Sequence, residues 1–241
     1  IDKNITKFDH YYKSSISGAS INNNIVRGFY EDADSNLWIA TDGGGLNFFD
    51  RKKRHYVAYD HDTADPTSIK SNAVLTFCEV NGSLWVGTWQ GGINVLDIKT
   101  KTFRQIDPSN PQLRSVFYLI KDSNGNVWAS TFGGGISKID INTEQVRSYL
   151  HDPSNPLSLS SDITPCIMAD SDGNIWVGTQ DSGVNLLTKE NIDDGIFRRF
   201  GLSGNDSLML QSKLINHIFE DSKKNIWIAT SGGLTRFEMS K

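Results

Sequence analysis

Long apolar runs, clustered positive charge and a framework of cysteines are all missing from these 241 residues. With no run of about 18 apolar residues there is no candidate membrane helix. The opening stretch IDKNITKFDHYY also lacks the basic and apolar regions of a signal peptide. Lys and Arg number 24 against 28 Asp and Glu, for a net charge of −4, and they are scattered. Neither a phosphate footprint for nucleic acid nor a basic patch for a membrane surface is expected. The two cysteines, Cys78 and Cys166, fall in apolar stretches of non-neighbouring repeats and read as buried free thiols, which decide no compartment. Helix-period patterning is not visible. What is present, 37% hydrophobic and 10% aromatic residues, suffices for a core in one domain or two.

The chain is organised by five near-copies of one stretch: NLWIAT (36 to 41), SLWVGT (83 to 88), NVWAST (126 to 131), NIWVGT (174 to 179) and NIWIAT (225 to 230). Their tryptophans, Trp38, Trp85, Trp128, Trp176 and Trp227, stand 47, 43, 48 and 51 residues apart. A period in the forties marks a repeat array. Six residues before each Trp sits an acid, namely Asp32, Glu79, Asp122, Asp170 and Asp221. A turn separates acid from Trp, and a glycine pair or its remnant follows the Trp strand. In NIWVGT the Ile, Val and Thr face one way and Trp and Gly the other, the alternation of a strand. Asn-Gly and Asp-Gly in these turns supply the positive backbone angles of two-residue hairpins. One Trp per sheet at a fixed strand position is explained by packing between adjacent sheets.

Four short strands per repeat predict an all-β chain, a β-propeller of four-stranded antiparallel blades. Expected blades run over about residues 25–59, 73–106, 113–150, 163–200 and 214–238, within a single propeller domain or fragment spanning 1–241. The last repeat stops after its third strand, and residues 4–9 resemble an outer strand. Two arrangements follow: a five-bladed ring closed by that N-terminal strand, or an arc of a larger propeller. The chain opens in mid-repeat, as expected of a segment of something longer.

The pattern D-x-x-G-N-x-W-x-G-T-x-x-x-G, followed by an apolar strand and by HDPSNPLSLSSD (151 to 162), resembles the two-component regulator propeller repeat. HDTADPTSIKSN (61 to 72) repeats the connector and DPSNPQLRS (107 to 115) shortens it, so the resemblance extends from Ile5 to Phe237. It implies the periplasmic sensor region of Bacteroides-type hybrid two-component systems. Family members usually carry two seven-bladed propellers, an immunoglobulin-like domain, a membrane helix and a cytoplasmic histidine kinase. The implied role is recognition of an oligosaccharide, with signalling through a dimer.

Chemistry-bearing patterns are sparse. DSNGN and DSDGN lack the downstream Glu of a calcium loop, so their carboxylates are expected to close hairpins. The glycine runs at 43 to 45 and 133 to 135 precede no helix and read as turns rather than phosphate cradles. His10, His55, His61, His151 and His217 share no metal-ligand spacing, and His61 and His151, at one connector position, are expected to cap that loop. No catalytic constellation stands out, so no enzymatic activity, cofactor or metal is expected.

Positions where the repeats disagree are free for function. On the face bearing the loops between second and third strands these are Asp42, Trp89 with Gln90, Phe132, Gln180 with Asp181, and Ser231. An aromatic platform beside amides and carboxylates suits a sugar; packing of Trp89 and Phe132 on neighbouring connectors is the competing use. On the inner strands Arg27, Phe117, Pro165 and Asn216 are equivalent, where side chains can point into the central channel, with Arg27 and Asn216 as candidate ligand contacts and filling of the channel as the competing use. Expected partners are an oligosaccharide, other propeller or sensor domains of the same protein, or a second copy. The competing functions are an interaction scaffold without ligand and, more remotely, a propeller lyase.

Overall fold

A computed structural model describes residues 9–16, 18–201 and 210–237. Two compact units are distinguished, Ile1–Val74 and Leu75–Lys241. The first holds one four-stranded antiparallel sheet, β1 Val26–Glu31, β2 Leu37–Thr41, β3 Leu46–Asp50 and β4 His55–Tyr59, hydrogen-bonded in that order. This is blade one. The second holds blade two (β5 Val74–Val80, β6 Ser83–Thr88, β7 Ile93–Leu96, β8 Phe103–Ile106) and blade three (β9 Val116–Lys121, β10 Val127–Thr131, β11 Ile136–Ile139, β12 Val146–Tyr149). Blade four follows (β13 Cys166–Ala169, β14 Ile175–Gly178, β15 Val184–Leu187, β16 Phe197–Phe200), and among the described residues blade five has three strands (β17 Ile215–Glu220, β18 Ile226–Thr230, β19 Gly233–Phe237). The chain is therefore all-β, with the meandering blades of a β-propeller. The expected strand over residues 4–9 lies outside the described residues save for Asp9.

The Trp strands behave as their alternation requires. Trp128 of blade three packs with Ile175 and Val177 of blade four, while Trp176 of that same strand packs with Ile215, Ile226 and Ile228 of blade five. Trp85 of blade two likewise meets Val127 and Ala129 of blade three. Each Trp strand thus puts its indole on one face and two aliphatics on the other, and within the second unit the indole of one blade is covered by the aliphatics of the next. Trp128 and Trp176 are fully buried. Truncating a buried aromatic of this kind costs about 3–5 kcal/mol.

The hairpin between the first two strands differs from expectation in four blades. Only blade two uses a two-residue turn, with Asn81 and Gly82 at φ 50° and 79° between β5 and β6. In the other four, three residues follow the acid and the third takes positive φ: Ser35, Gly125, Gly173 and Lys224, at 64°, 87°, 91° and 66°. The added residue leaves the acid just beyond the ladder, where its carboxylate closes the loop. Asp122 Oδ1 accepts the N–H groups of Asn124 and Asn126, and Asp170 Oδ1 accepts those of Asp172 and Asn174.

Candidate functional site

The repeated acid has a second duty that spacing alone does not announce. Its other oxygen accepts the indole N–H of the Trp six residues on: Asp32 to Trp38 at 3.1 Å, Asp122 to Trp128 at 2.9 Å, Asp170 to Trp176 at 2.9 Å and Asp221 to Trp227 at 2.8 Å. In blades three and four the bond orients the ring that packs on the next blade. Blade two departs from this because its shorter turn keeps Glu79 inside β5, and the Glu79 carboxylate takes the Gly82 N–H instead. The Trp227 indole heads the causes that hold the Asp221 carboxyl well below the usual range, followed by Asn225. In four blades the acid is thus tied to its Trp and to its turn at once.

The connectors are architectural. His61 Nδ1 lies 2.8 Å from the Ile69 carbonyl and His151 Nδ1 2.8 Å from that of Leu159, while their backbone N–H groups donate to Asn72 and Asp162. Both histidines cap their loops as the sequence suggested. Arg199 of blade four clamps the second connector through the Ser158, Asn155 and Leu159 carbonyls and the Ser158 hydroxyl. No group of three or more His, Cys, Asp or Glu among the described residues is arranged to hold a metal. Cys78 and Cys166 are free, and burial pushes their thiols up to about 11 and about 12.

The glycine loop after each Trp strand is stitched to the segment leading into the next inner strand. Gly43 and Gly45 donate to the Asn72 carbonyl, Gly92 to Arg114, Gly133 and Gly135 to Asp162, and Gly183 to Lys213. Loops and inner-strand entries therefore share one edge of each unit. In blades one, three and five the inner strand carries a bulge there, at Arg27, Phe117 and Asn216, between the register pairs that flank them. Such a bulge re-aims a side chain at the sheet edge. Pro165 holds the same place in blade four, immediately before β13.

In the second unit this edge gathers an aromatic triad. Trp89 lies 5.1 Å from Phe132 and 6.2 Å from Phe117, and the two phenyl rings are 6.0 Å apart at 81°, centroid to centroid. Phe132 remains 47% exposed and Trp89 is half-buried, so the pair both pack together and present a ring surface. Ser115 joins the two loops, its hydroxyl accepting from Gln90 N–H and its carbonyl from Phe132 N–H. Ile163 joins the next pair: it bridges Phe132, and its carbonyl accepts from Gln180 N–H. Gln90, Gln180 and Asp181 are exposed along this edge, Asp181 accepting from the Ser182 hydroxyl. Ser231 and Asn216 are exposed in blade five.

In the first unit Arg27 and Asp42 are paired, the Nε and Nη2 groups of Arg27 both donating to Asp42 Oδ2, with Nε at 3.1 Å. Both remain partly exposed, so their charges neutralise one another at the edge. Phe117, on an inner strand like Arg27 and Asn216, sits at the bulge of blade three and is in ring contact with Trp89 and Phe132.

The family model described as "Two component regulator propeller" matches residues 20–43, 158–181 and 209–232, the segments that include the inner and Trp strands of blades one, four and five. No protein of curated function matches the chain. Among solved structures, the extracellular domain of the putative hybrid two component system BT4673 from B. thetaiotaomicron shares 25% identity at a TM-score of 0.71, covering 96% of this chain and 30% of that one. The corresponding domain of BT3049 from the same organism shares 24% at 0.53, covering 96% and 36%. A virginiamycin B lyase from Staphylococcus aureus shares 16% at 0.60, covering 90% and 70%. The last two likenesses are of fold. The chain spans about a third of the two extracellular-domain structures it matches.

Proposed function

We propose that this chain, which carries two-component regulator propeller repeats, is a non-catalytic recognition segment of an extracytoplasmic sensor, binding an oligosaccharide at the loop edge of blades two to four. The likeness to extracellular domains of hybrid two component systems supports the sensor role. Among the described residues no helix is long and apolar enough to cross a membrane. The Trp89, Phe117 and Phe132 triad carries the ligand assignment. Its half-exposed rings offer an apolar platform for the C–H face of a sugar ring, and Gln90, Gln180 and Asp181 offer directional hydrogen bonds to hydroxyls. Asn216 of blade five, in the same unit, offers a further contact, while Arg27 and Asp42 are candidate contacts of the first unit by itself. Signal transmission across the membrane belongs to parts of a longer protein.

Thermal-shift measurements against a panel of polysaccharide digests test the assignment. A digest that raises Tm, with the rise lost in Trp89→Ala and far-UV circular dichroism unchanged, supports it. A folded protein that responds to no digest, or a shift that survives Trp89→Ala and Phe132→Ala together, refutes it.

A further inference from the structure

The three connectors described throughout differ at one residue, the one whose carbonyl takes the glycine-loop N–H. It is Asn72 before blade two, Arg114 before blade three and Asp162 before blade four. Asn72 and Asp162 are committed: their side chains accept the backbone N–H groups of His61 and His151 and so close the two long connectors. The short connector 107–115 has no histidine to hold, which releases its position from that duty. It carries a guanidinium instead. Arg114 is exposed, and among the described residues its side chain enters no ion pair or hydrogen bond. Elsewhere in the same unit Arg104 pairs with Glu144, Arg147 donates to the Asp193 carbonyl, Arg198 lies over the Phe200 ring and Arg199 clamps the second connector.

The backbone that carries this free cation is fixed. A 3-10 turn, Pro111–Leu113, capped by the Asn110 side chain, leads into it, and Leu113 is fully buried beneath. The Arg114 carbonyl accepts from Gly92 of the Trp89 loop. Gln112 lies so close against the Phe132 loop that a Cβ on Gly134 would come within 2.1 Å of its carbonyl oxygen. The next residue, Ser115, bonds to both loops. Arg114 therefore stands at the junction of the two loops that present Trp89 and Phe132. Neither loop, WQGG or FGGG, contains an acid, and the connector's own Asp107 is taken up by Ser109 and Asn110.

We infer that the saccharide held at this edge is an acidic one, its ring lying on Trp89 and Phe132 and its carboxylate or sulfate ester taken by Arg114. A guanidinium presents its N–H groups as a planar fork that matches two oxygens of such an anion, and a bond of this kind is stronger than a neutral one. Aromatic rings alone select a C–H face and do not distinguish charge; the cation beside them does. The inference rests on the sugar-binding assignment and narrows it to one class of glycan, with Arg114 as the residue that sets specificity.

Calorimetric titration of the full chain tests it, with digests of polygalacturonate, alginate and chondroitin sulfate, the carboxyl-reduced or desulfated form of each, and digests of neutral arabinan and galactan. An acidic digest is expected to bind and its discharged form to fail, and whichever treatment abolishes binding identifies the anionic group. Arg114→Gln, at an exposed position whose backbone bonds the variant keeps, is expected to weaken binding about tenfold or more. Lys99→Gln, an equal loss of charge in the turn at the far end of β7, is expected to change it by less than about twofold. A digest that binds equally well once its charge is removed, or a neutral digest that binds in place of the acidic ones, overturns the acidic assignment and leaves the sugar site standing. So does an acidic digest whose affinity survives Arg114→Gln or falls equally with Lys99→Gln. A folded protein that binds no digest overturns the sugar site and this inference with it.

Discussion

Asp170→Ala isolates the device that holds one blade to the next. The Asp170 side chain is 6% exposed and accepts four hydrogen bonds: from Asp172 N–H at 3.0 Å, Asn174 N–H at 2.8 Å, Asn174 Nδ2 at 2.8 Å and Trp176 Nε1 at 2.9 Å. Its removal strands at least two buried donors, the Asn174 N–H and the indole N–H. At about 1–3 kcal/mol for each unsatisfied group, the expected loss is about 4 kcal/mol. Asp170→Asn keeps an acceptor for the backbone but turns an amide N–H toward two other donors, and about 2–3 kcal/mol is expected. A double-mutant cycle with Trp176→Phe is expected to give a coupling of about 1.5–3 kcal/mol, the range of a hydrogen bond to a charged group.

Blade two supplies the control. Glu79 makes its bond to Gly82 N–H at the turn, and a glutamine oxygen can still accept it, so Glu79→Gln is expected to cost less than about 1 kcal/mol. Urea unfolding followed by far-UV circular dichroism, with slopes compared before midpoints, measures all of these. A coupling below about 0.5 kcal/mol, or equal losses for Asp170→Asn and Glu79→Gln, would refute the claim that the acid acts by orienting the indole.

Three further outcomes follow from the same contacts. Backbone N–H groups of the turns hold Asp97 and Asp140 below their ordinary value of 3.8, and Trp227 with Asn225 does the same for Asp221. Carboxyls depressed in the folded state stabilise fully above the unfolded value, and the contribution is lost as pH falls through the folded one; Tm is expected to be flat from pH 7 to 5 and to drop below about pH 4. Arg199→Ala removes four bonds to the second connector and is expected to cost about 1.5–3 kcal/mol, with limited proteolysis cutting within 152–162 before global unfolding. Cys166, buried and pushed up to about 12, is expected to resist a thiol reagent at pH 8 in the native protein and to react at once in urea, with Cys78 intermediate.

The blades were legible because two independent signals coincide on the Trp strands: an alternation of two and a recurrence in the forties. A slip of one residue would put Trp176 where Ile175 and Val177 belong, so the pattern admits one register. The acid was visible at its fixed offset, but its bond to the indole was not. Acid and Trp lie on opposite sides of a hairpin turn, and whether they meet depends on one residue of turn length, as Glu79 demonstrates. The shared connector position of His61 and His151 was enough to assign their capping role. The contact of Phe117 with Trp89 and Phe132 was not legible, because the bulge that sets its direction leaves no mark in the alternation.

Those bulges also explain why the edge is chemically diverse. The extra residue of a bulge has no partner in the ladder, so neither its N–H nor its side chain is demanded by the blade. Arg27, Phe117 and Asn216 share no size, charge or polarity, yet each stands five residues before the repeated acid. Pro165 at the fourth such place is the sharpest case: proline has no N–H to give, and a ladder position would reject it. The acid, the Trp and the glycine loop are fixed by packing, whereas the bulge residue and its neighbours Trp89, Phe132 and Gln180 are released from it. Recognition can therefore change at this edge, blade by blade, without disturbing the contacts that hold the blades together.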